Sequence, residues 1–227
     1  MNILAIETSS SLLSVALGRS DGVSAEINLD GGLHHAENLI SLVQVALEAL
    51  KLKKREIDLV ACGMGPGSFT GLRIGLAAAK GLGLGLQKKI AGFSSLDIAS
   101  EGIPLETGKL AVILDARREA LYAAMYRFDK GVRKKIVKES LFSIDQFIER
   151  IDGKTMLMGN ALETYGEKIR RIYPKVSFVE KRFWNPKASS LLSLIQKQKG
   201  KIKFLKPEQL KPAYLRLSEA EERRKKH

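Results

Sequence analysis

The feature that most constrains the fold is a glycine-rich segment, residues 63–75, that joins two apolar stretches. Residues 59–62 before it are typical of a buried strand, and residues 72–86 after it predict a helix with almost no polar face. A glycine-rich turn between a strand and a helix points N–H groups outward and can contact an anion or another backbone closely. The segment lacks the Gly-Lys-Ser/Thr of a Walker loop and the dinucleotide fingerprint. A tight strand–helix turn is therefore the simpler interpretation.

The helix after this turn is unusually apolar, because Arg73 and Lys80 are its only charged residues. Small residues recur every four positions along one stripe, at Gly71, Gly75, Ala79 and Gly83. Each glycine costs a helix about 1 kcal/mol relative to alanine. The stripe therefore predicts close packing, and a helix without a polar face is covered on more than one side. We expect the second cover to be another subunit.

A second helix, residues 35–50, also has a wider apolar arc than one core face requires. Both helices lie in the same half of the chain and carry more apolar surface than packing on one core would bury. This pattern favours a partner interface that both helices form. The candidate interface residues are His35, Leu39, Leu42, Val43, Ala46, Gly71, Gly75, Ala79 and Gly83.

Composition limits the class of protein. The 227 residues suit one or two domains, and 44% hydrophobic residues is typical of a globular chain. No apolar run reaches the roughly 20 residues that a membrane span needs. The start of the chain lacks the features of a signal peptide, which favours a cytoplasmic location. Cys62 is the only cysteine, so no internal disulfide or cysteine metal cluster is expected.

Charge is distributed unevenly along the chain. Residues 1–105 carry 9 Lys/Arg and 10 Asp/Glu, whereas residues 106–227 carry 29 and 15. The basic half favours an anionic partner, with RNA as the leading candidate. A solvated surface that only aids solubility is the alternative, since no RNA-binding module signature is present.

The order of predicted elements indicates a duplicated α/β fold. The first third reads β-β-β-α-β-α, with strands at 2–7, 14–19 and 23–28. The pattern of residues 3–22 returns 108 residues later, and in both copies an apolar strand ends in a carboxylate, Glu7 or Asp115. Further predicted elements are strands at 109–115, 121–128 and 132–139, and helices at 144–151, 161–172, 188–199 and 218–226.

Two α/β lobes that each begin with strands, with a cleft between them, are typical of the two-lobed actin-like ATPase (ASKHA) architecture. Here the nucleotide cleft is expected to be degenerate. We expect an N-terminal lobe at 1–105 and a basic C-terminal lobe at 106–207. The segment 208–227 is expected to pack back on the first lobe.

Five motifs along nearly the whole chain resemble the TsaB family, formerly called YeaZ. They are Ile6-Glu7-Thr8-Ser9, His35-Ala36-Glu37, the segment 65–75, Asp115-Ala116-Arg117 and Pro212-Ala213-Tyr214-Leu215-Arg216. The resemblance implies a bacterial protein of tRNA threonylcarbamoyladenosine biosynthesis. It implies a non-catalytic dimerisation subunit that binds TsaD through N-lobe helices, works with TsaE, and forms a homodimer when TsaD is absent. One departure is visible: Glu119 and Ala120 stand where the family often has Gly and Glu.

The resemblance also implies that this chain holds no catalytic metal. The catalytic paralogue binds its metal through two histidines at i and i+4, a spacing that places both on one helix face. Ser95 and Ala99 stand at the matching positions, and alanine cannot bind a metal. The histidines of the chain are His34, His35 and His227.

Nucleotide chemistry is weakly supported, because the turns at 8–11 and 116–119 lack the glycines of phosphate-binding hairpins. We therefore expect no cofactor; a nucleotide at a subunit interface is the alternative, which these turn sequences do not support. The candidate tRNA or anion contacts are Arg117, Arg133, Lys134, Lys135, Lys138, Arg223 and Arg224. An actin-like ATPase or sugar kinase acting alone, and a stand-alone RNA-binding protein, are the rival functions.

Overall fold

Two mixed sheets organise the molecule in a computed structural model that describes residues 1–19, 22–31, 34–198 and 200–215. The first sheet has the order β3-β2-β1-β4-β5 and contains β1 (Asn2–Glu7), β2 (Leu12–Arg19), β3 (Gly22–Asp30), β4 (Leu59–Gly63) and β5 (Lys89–Phe93). The second has the order β8-β7-β6-β9 and contains β6 (Gly108–Asp115), β7 (Ala120–Asp129), β8 (Val132–Ser143) and β9 (Thr155–Met158). The helices are α1 (His35–Ala49), α2 (Phe69–Gly85), α3 (Ser95–Glu101), α4 (Ile144–Ile148), α5 (Ala161–Ile172) and α6 (Ala188–Lys197).

The two sheets repeat one topology. In the first, β1 pairs antiparallel with β2 and parallel with β4. In the second, β6 pairs antiparallel with β7 and parallel with β9. Glu7 and Asp115 end the equivalent strands β1 and β6. The predicted duplication is confirmed, and the fold is the two-lobed actin-like ATPase architecture.

Helices cover both faces of the first sheet. Helices α1 and α2 pack on one face, around a core that includes Leu4, Val43 and Leu76. Helix α6 packs on the other face, where Leu191 and Leu194 join Ile3 in a second buried cluster. The lobe boundaries expected from the sequence, with a second lobe at 106–207, assigned this helix to the second lobe. The structure places it with the first lobe, because its apolar side fits the open face of β1 and β2.

The segment after α6 also lies on the first lobe. Leu205 N donates to Ile90 O at 2.8 Å and so adds a bridge to the edge strand β5. Leu210 is fully buried in the first core. Ala213 N donates to Met64 O at 2.8 Å, beside the glycine-rich turn. We call residues 202–215 the C-terminal strap. The helix predicted at 218–226 lies outside the described residues.

Some helices and strands begin or end at other residues than the sequence predicts, because side chains that cap helices set these boundaries. Helix α2 begins at Phe69 because the Ser68 hydroxyl accepts a hydrogen bond from Gly71 N at 3.2 Å. Strand β8 continues to Ser143, which then caps the short helix α4. None of the helices in the described part of the chain combines the length and the apolarity that a bilayer span requires.

Candidate functional site: the outer helical face and the glycine-rich turn

The glycine-rich turn is fastened to the end of β1 through a buried carboxylate. Glu7 is fully buried, and its Oε1 accepts a hydrogen bond from Ser9 N at 2.7 Å. Its Oε2 accepts one from the Ser95 hydroxyl at 3.1 Å, and that hydroxyl accepts one from Gly65 N at 3.2 Å. Burial raises the pKa of Glu7, although the hydrogen bonds from Ser9 and Ser95 act in the opposite direction. The Ser95 hydroxyl therefore links the glycine-rich turn to Glu7 and stabilises the conformation of the turn.

The small-residue stripe of α2 faces the inside of its own subunit. A side-chain carbon added at Gly71 or Gly75 would overlap Thr8, and one added at Gly83 would overlap Ile90. Ala79 is fully buried. The close packing predicted from the stripe is therefore with strands of the same chain, and the assignment of these four residues to a partner interface is corrected.

The assigned residues of α1 are also placed inside the subunit. His35, Leu39, Val43 and Ala46 are buried, and Leu42 is half-buried against the same core. His35 Nε2 lies 3.1 Å from Ser10 O, which fixes the start of the helix to the turn after β1. A partner cannot contact the four buried side chains while the fold is intact, so their assignment to a partner interface is corrected, whereas Leu42 keeps part of its side chain accessible. Helix periodicity located the apolar arc but could not show which part of it the sheet covers.

The opposite sides of the two helices remain exposed. Since α1 and α2 lie side by side on one face of the sheet, their other sides both point away from it. Apolar side chains stand there with large exposed fractions: Ile40 51%, Val45 50% and Leu84 61%. We call Ile40, Val45, Ala77, Gly81 and Leu84 the outer helical face.

An aromatic–cation cluster closes one end of this face. The ring centroids of Phe69 and Tyr214 are 4.9 Å apart, and the Arg73 guanidinium carbon lies 3.8 Å from the Phe69 centroid. Arg73 Nε donates to the Tyr214 hydroxyl at 3.1 Å. The cluster joins the start of α2 to the C-terminal strap. Sequence reasoning missed it, because no local pattern links residues 141 positions apart; only the presence of both motifs in the resemblance pointed to these segments.

The described residues offer no group of three or more His, Cys, Asp or Glu side chains arranged to hold a metal ion. Of the two residues that the resemblance matched to metal-binding histidines, Ser95 binds Glu7 and Ala99 packs in a core between the lobes. His34 is exposed and lies 3.1 Å from Glu37. Burial raises the pKa of the Cys62 thiol, which therefore stays protonated.

Two of the predicted basic contacts are already paired within the molecule. Arg133 Nη1 lies 3.1 Å from Asp97 Oδ1, and its Nε lies 3.6 Å from Glu101 Oε2. Lys135 binds Asp97 at 2.9 Å and also binds Glu139. Their assignment as anion contacts is corrected, because α3 supplies carboxylates to that face of β8.

The other predicted basic contacts lie elsewhere. Lys134 and Lys138 are exposed. Arg117 is exposed in the turn after β6, where its N–H donates to Asp115 Oδ1 at 2.7 Å. Arg223 and Arg224 lie outside the described residues.

Comparison with known proteins identifies the family. Residues 29–222 match the family model described as TsaD, tRNA N6-adenosine threonylcarbamoyltransferase. A TsaB from Bacillus subtilis is 29% identical over 225 residues, 97% of this chain and 96% of that protein. The chain belongs to the TsaB branch of the TsaD family.

Other relatives agree with this TsaB assignment. A TsaB from Escherichia coli is 36% identical over 133 residues, 58% of this chain and 57% of that protein. A solved structure of YeaZ from Pseudomonas aeruginosa superposes with a TM-score of 0.79 at 25% identity, covering 94% of this chain and 99% of that one. A second Pseudomonas aeruginosa structure, described as similar to the peptidase YeaZ, gives a TM-score of 0.82 at 26% identity, covering 95% and 99%.

Proposed function

We propose that the chain is a non-catalytic subunit of tRNA threonylcarbamoyladenosine biosynthesis that binds a TsaD-type enzyme through the outer helical face. The names of the TsaB relatives support the pathway, and the match to the TsaD family model supports an association with that enzyme. The observation that carries the choice of surface is the exposure of apolar residues and glycine on two adjacent helices.

The exposed glycine is informative because the fold does not require it. A side-chain carbon added at Gly81 would meet nothing within 4 Å, in contrast to the buried glycines of the same helix. Glycine in a helix interior lowers stability by about 1 kcal/mol relative to alanine. An outside surface that approaches the helix backbone closely gives a physical reason for glycine at this position. Leu84 of the same helix and Ile40 of α1 add exposed apolar area that association would remove from water.

The non-catalytic role has its own support. Ser95 stands at one histidine position of the catalytic paralogue. Its hydroxyl donates a hydrogen bond to Glu7 and accepts one from Gly65 N, so it is occupied within the fold. In the assembled complex we propose that TsaE and tRNA join the pair. Without the enzyme, the outer helical faces of two copies pair in a homodimer.

The test uses a charged substitution in the face and a matched one outside it. Leu84→Glu places a carboxylate where the enzyme would desolvate it, so we expect at least roughly tenfold weaker association with purified TsaD. Ile172→Glu, at a 49% exposed position of α5 in the second lobe, is the control and should bind as the unmodified chain does. Calorimetric titration measures both. Unchanged affinity of a folded Leu84→Glu variant would contradict the proposal.

A further inference from the structure

A row of cations crosses the second sheet at one end. Arg127 in β7 stands directly opposite Lys134 in β8 and directly opposite Lys109 in β6. Opposed residues of antiparallel strands point to the same face, and neighbouring strands are about 4.8 Å apart. Three positive side chains therefore share one face and one row.

Only one member of this row is neutralised inside the described part of the molecule. Lys109 Nζ lies 2.6 Å from Asp152 Oδ2, and the hydrogen bond from Lys109 contributes most to lowering the pKa of Asp152 to about 2. Arg127 and Lys134 are exposed, and neither forms an ion pair with a described carboxylate. Like charges directly opposite on a sheet are destabilising. An anion bound across the row would remove that cost.

Neighbouring elements bring more positive charge to the same end of the sheet. Strand β9 begins at Thr155, opposite Lys109, so the exposed Lys154 lies beside the row. The Tyr173 hydroxyl donates to Ile151 O at 3.2 Å, which holds the end of α5 at this level. We call the group Arg127, Lys134, Lys154, Arg171 and Lys175 the cationic sheet end; all five are exposed.

The other face of the same strands shows that this arrangement is specific to one side. There, Arg133 and Lys135 are matched by Asp97, Glu101 and Glu139. The described carboxylates pair both cations on one side of β8, whereas in the row on the other side only Lys109 has such a partner, Asp152. A basic patch confined to one side of a protein is typical of a surface that binds a polyanion such as a nucleic acid.

We propose that the cationic sheet end binds the phosphate backbone of RNA, with Arg127 and Lys134 as its central contacts. The proposal rests on the proposed role in tRNA modification and adds to it a second surface, separate from the enzyme-binding helices. Because the row carries charge at strand spacing, we expect contacts to phosphates rather than to base edges.

The experiment measures binding of fluorescently labelled, unmodified tRNA to the full chain over a series of salt concentrations. The double variant Arg127→Gln/Lys134→Gln removes two phosphate contacts, so the log–log salt slope should become shallower by about 1.5. The control Lys54→Gln/Arg55→Gln removes the same charge from exposed positions of the first lobe and should leave the slope unchanged. The charge-preserving Arg127→Lys/Lys134→Arg should also bind as the unmodified chain does.

Three results would overturn the proposal. One is no tRNA binding by the full chain at low salt, and another is an equal slope change in both double variants. The third is loss of labelled poly-glutamate binding by Arg127→Gln/Lys134→Gln with tRNA binding intact, which would assign the surface to an acidic protein segment. Since no enzyme is present in this experiment, each outcome is separate from the titration with TsaD.

Discussion

At the scale of single residues, Glu7 shows how the end of a strand becomes a structural anchor. Its two oxygens accept hydrogen bonds from Ser9 N and the Ser95 hydroxyl, and burial raises its pKa. The sequence identified Glu7 as the carboxylate that ends β1, and the resemblance identified Ser95 as a replaced metal ligand. Their contact could not be predicted, because 88 residues separate them and hydrogen-bond partners are set by the folded turn.

The raised pKa of Glu7 gives stability a definite pH dependence. The folded protein holds the Glu7 proton more tightly than the unfolded chain, whose carboxyl pKa is about 4.3. The resulting stabilisation is complete below that pH and is lost as the pH rises through the higher folded pKa. The free energy of unfolding of the unmodified chain should therefore fall relative to Glu7→Gln between acidic and neutral pH. Urea unfolding of both proteins across this range measures it, and a constant difference would refute it.

At the scale of elements, helix α2 uses glycine for two different purposes on its two sides. Toward the sheet, Gly71 lies against the backbone of Thr8, whereas Gly81 on the outer helical face has open space around it. The spacing of small residues predicted close packing correctly. It could not show that the buried stripe serves Thr8 and Ile90, because a helix with apolar residues all round gives no internal sign of which side faces the sheet.

The two glycines should respond oppositely to the same substitution. Gly71→Ala forces a methyl group into Thr8 O, and overpacking of this kind typically lowers stability by about 1–3 kcal/mol. Gly81→Ala meets no atom and should raise the stability of the isolated chain by up to about 1 kcal/mol. Thermal unfolding of both variants measures the difference. Destabilisation by Gly81→Ala would show that the exposed side of α2 is not as open as described.

Strand β8 illustrates the limit of alternation as a guide to function. Period-two alternation predicts Arg133 and Lys135 on one face of β8 and Lys134 and Lys138 on the other. The structure separates Arg133 and Lys135, which bind Asp97, from Lys134, which stands opposite Arg127. Two register shifts in the pairing with β7 interrupt the alternation around Lys138. Which face is used internally depends on Asp97, a residue of α3 that lies 36 positions before Arg133. The strand pattern therefore predicted separate faces but not their roles.

At the scale of the whole molecule, α3 connects the two lobes. Leu96 and Ala99 pack with Leu110 and Tyr126 of the second sheet. Glu101, with a side chain only 3% exposed, lies 3.6 Å from Arg133 Nε and 2.5 Å from Lys197 of α6. One short helix thus carries ion pairs to β8 and to α6, and it holds the lobes in one arrangement.

Removing the positive charge of Arg133, which pairs with two carboxylates of α3, should lower the free energy of unfolding substantially. Arg133→Met leaves Asp97 and the buried Glu101 with fewer partners, and breaking a buried ion pair typically costs about 3–5 kcal/mol. Lys138→Met, at an exposed position of the same strand, should change stability by less than about 0.5 kcal/mol. Urea unfolding followed by fluorescence of Trp184, the single tryptophan, reports on the second lobe. Equal midpoints for the two variants would contradict the role of this connection.

The placement of α6 and the C-terminal strap on the first lobe has a consequence for synthesis on the ribosome. Domains generally fold as they emerge, N-terminal part first. Here the strands β1 to β5 emerge early, yet the helix that covers one face of their sheet and the strap that borders β5 are translated after the whole second lobe. The first lobe therefore exposes an apolar sheet face until residues 188–215 have been translated, so a completed N-terminal lobe can be presented for assembly only after the second lobe has left the ribosome.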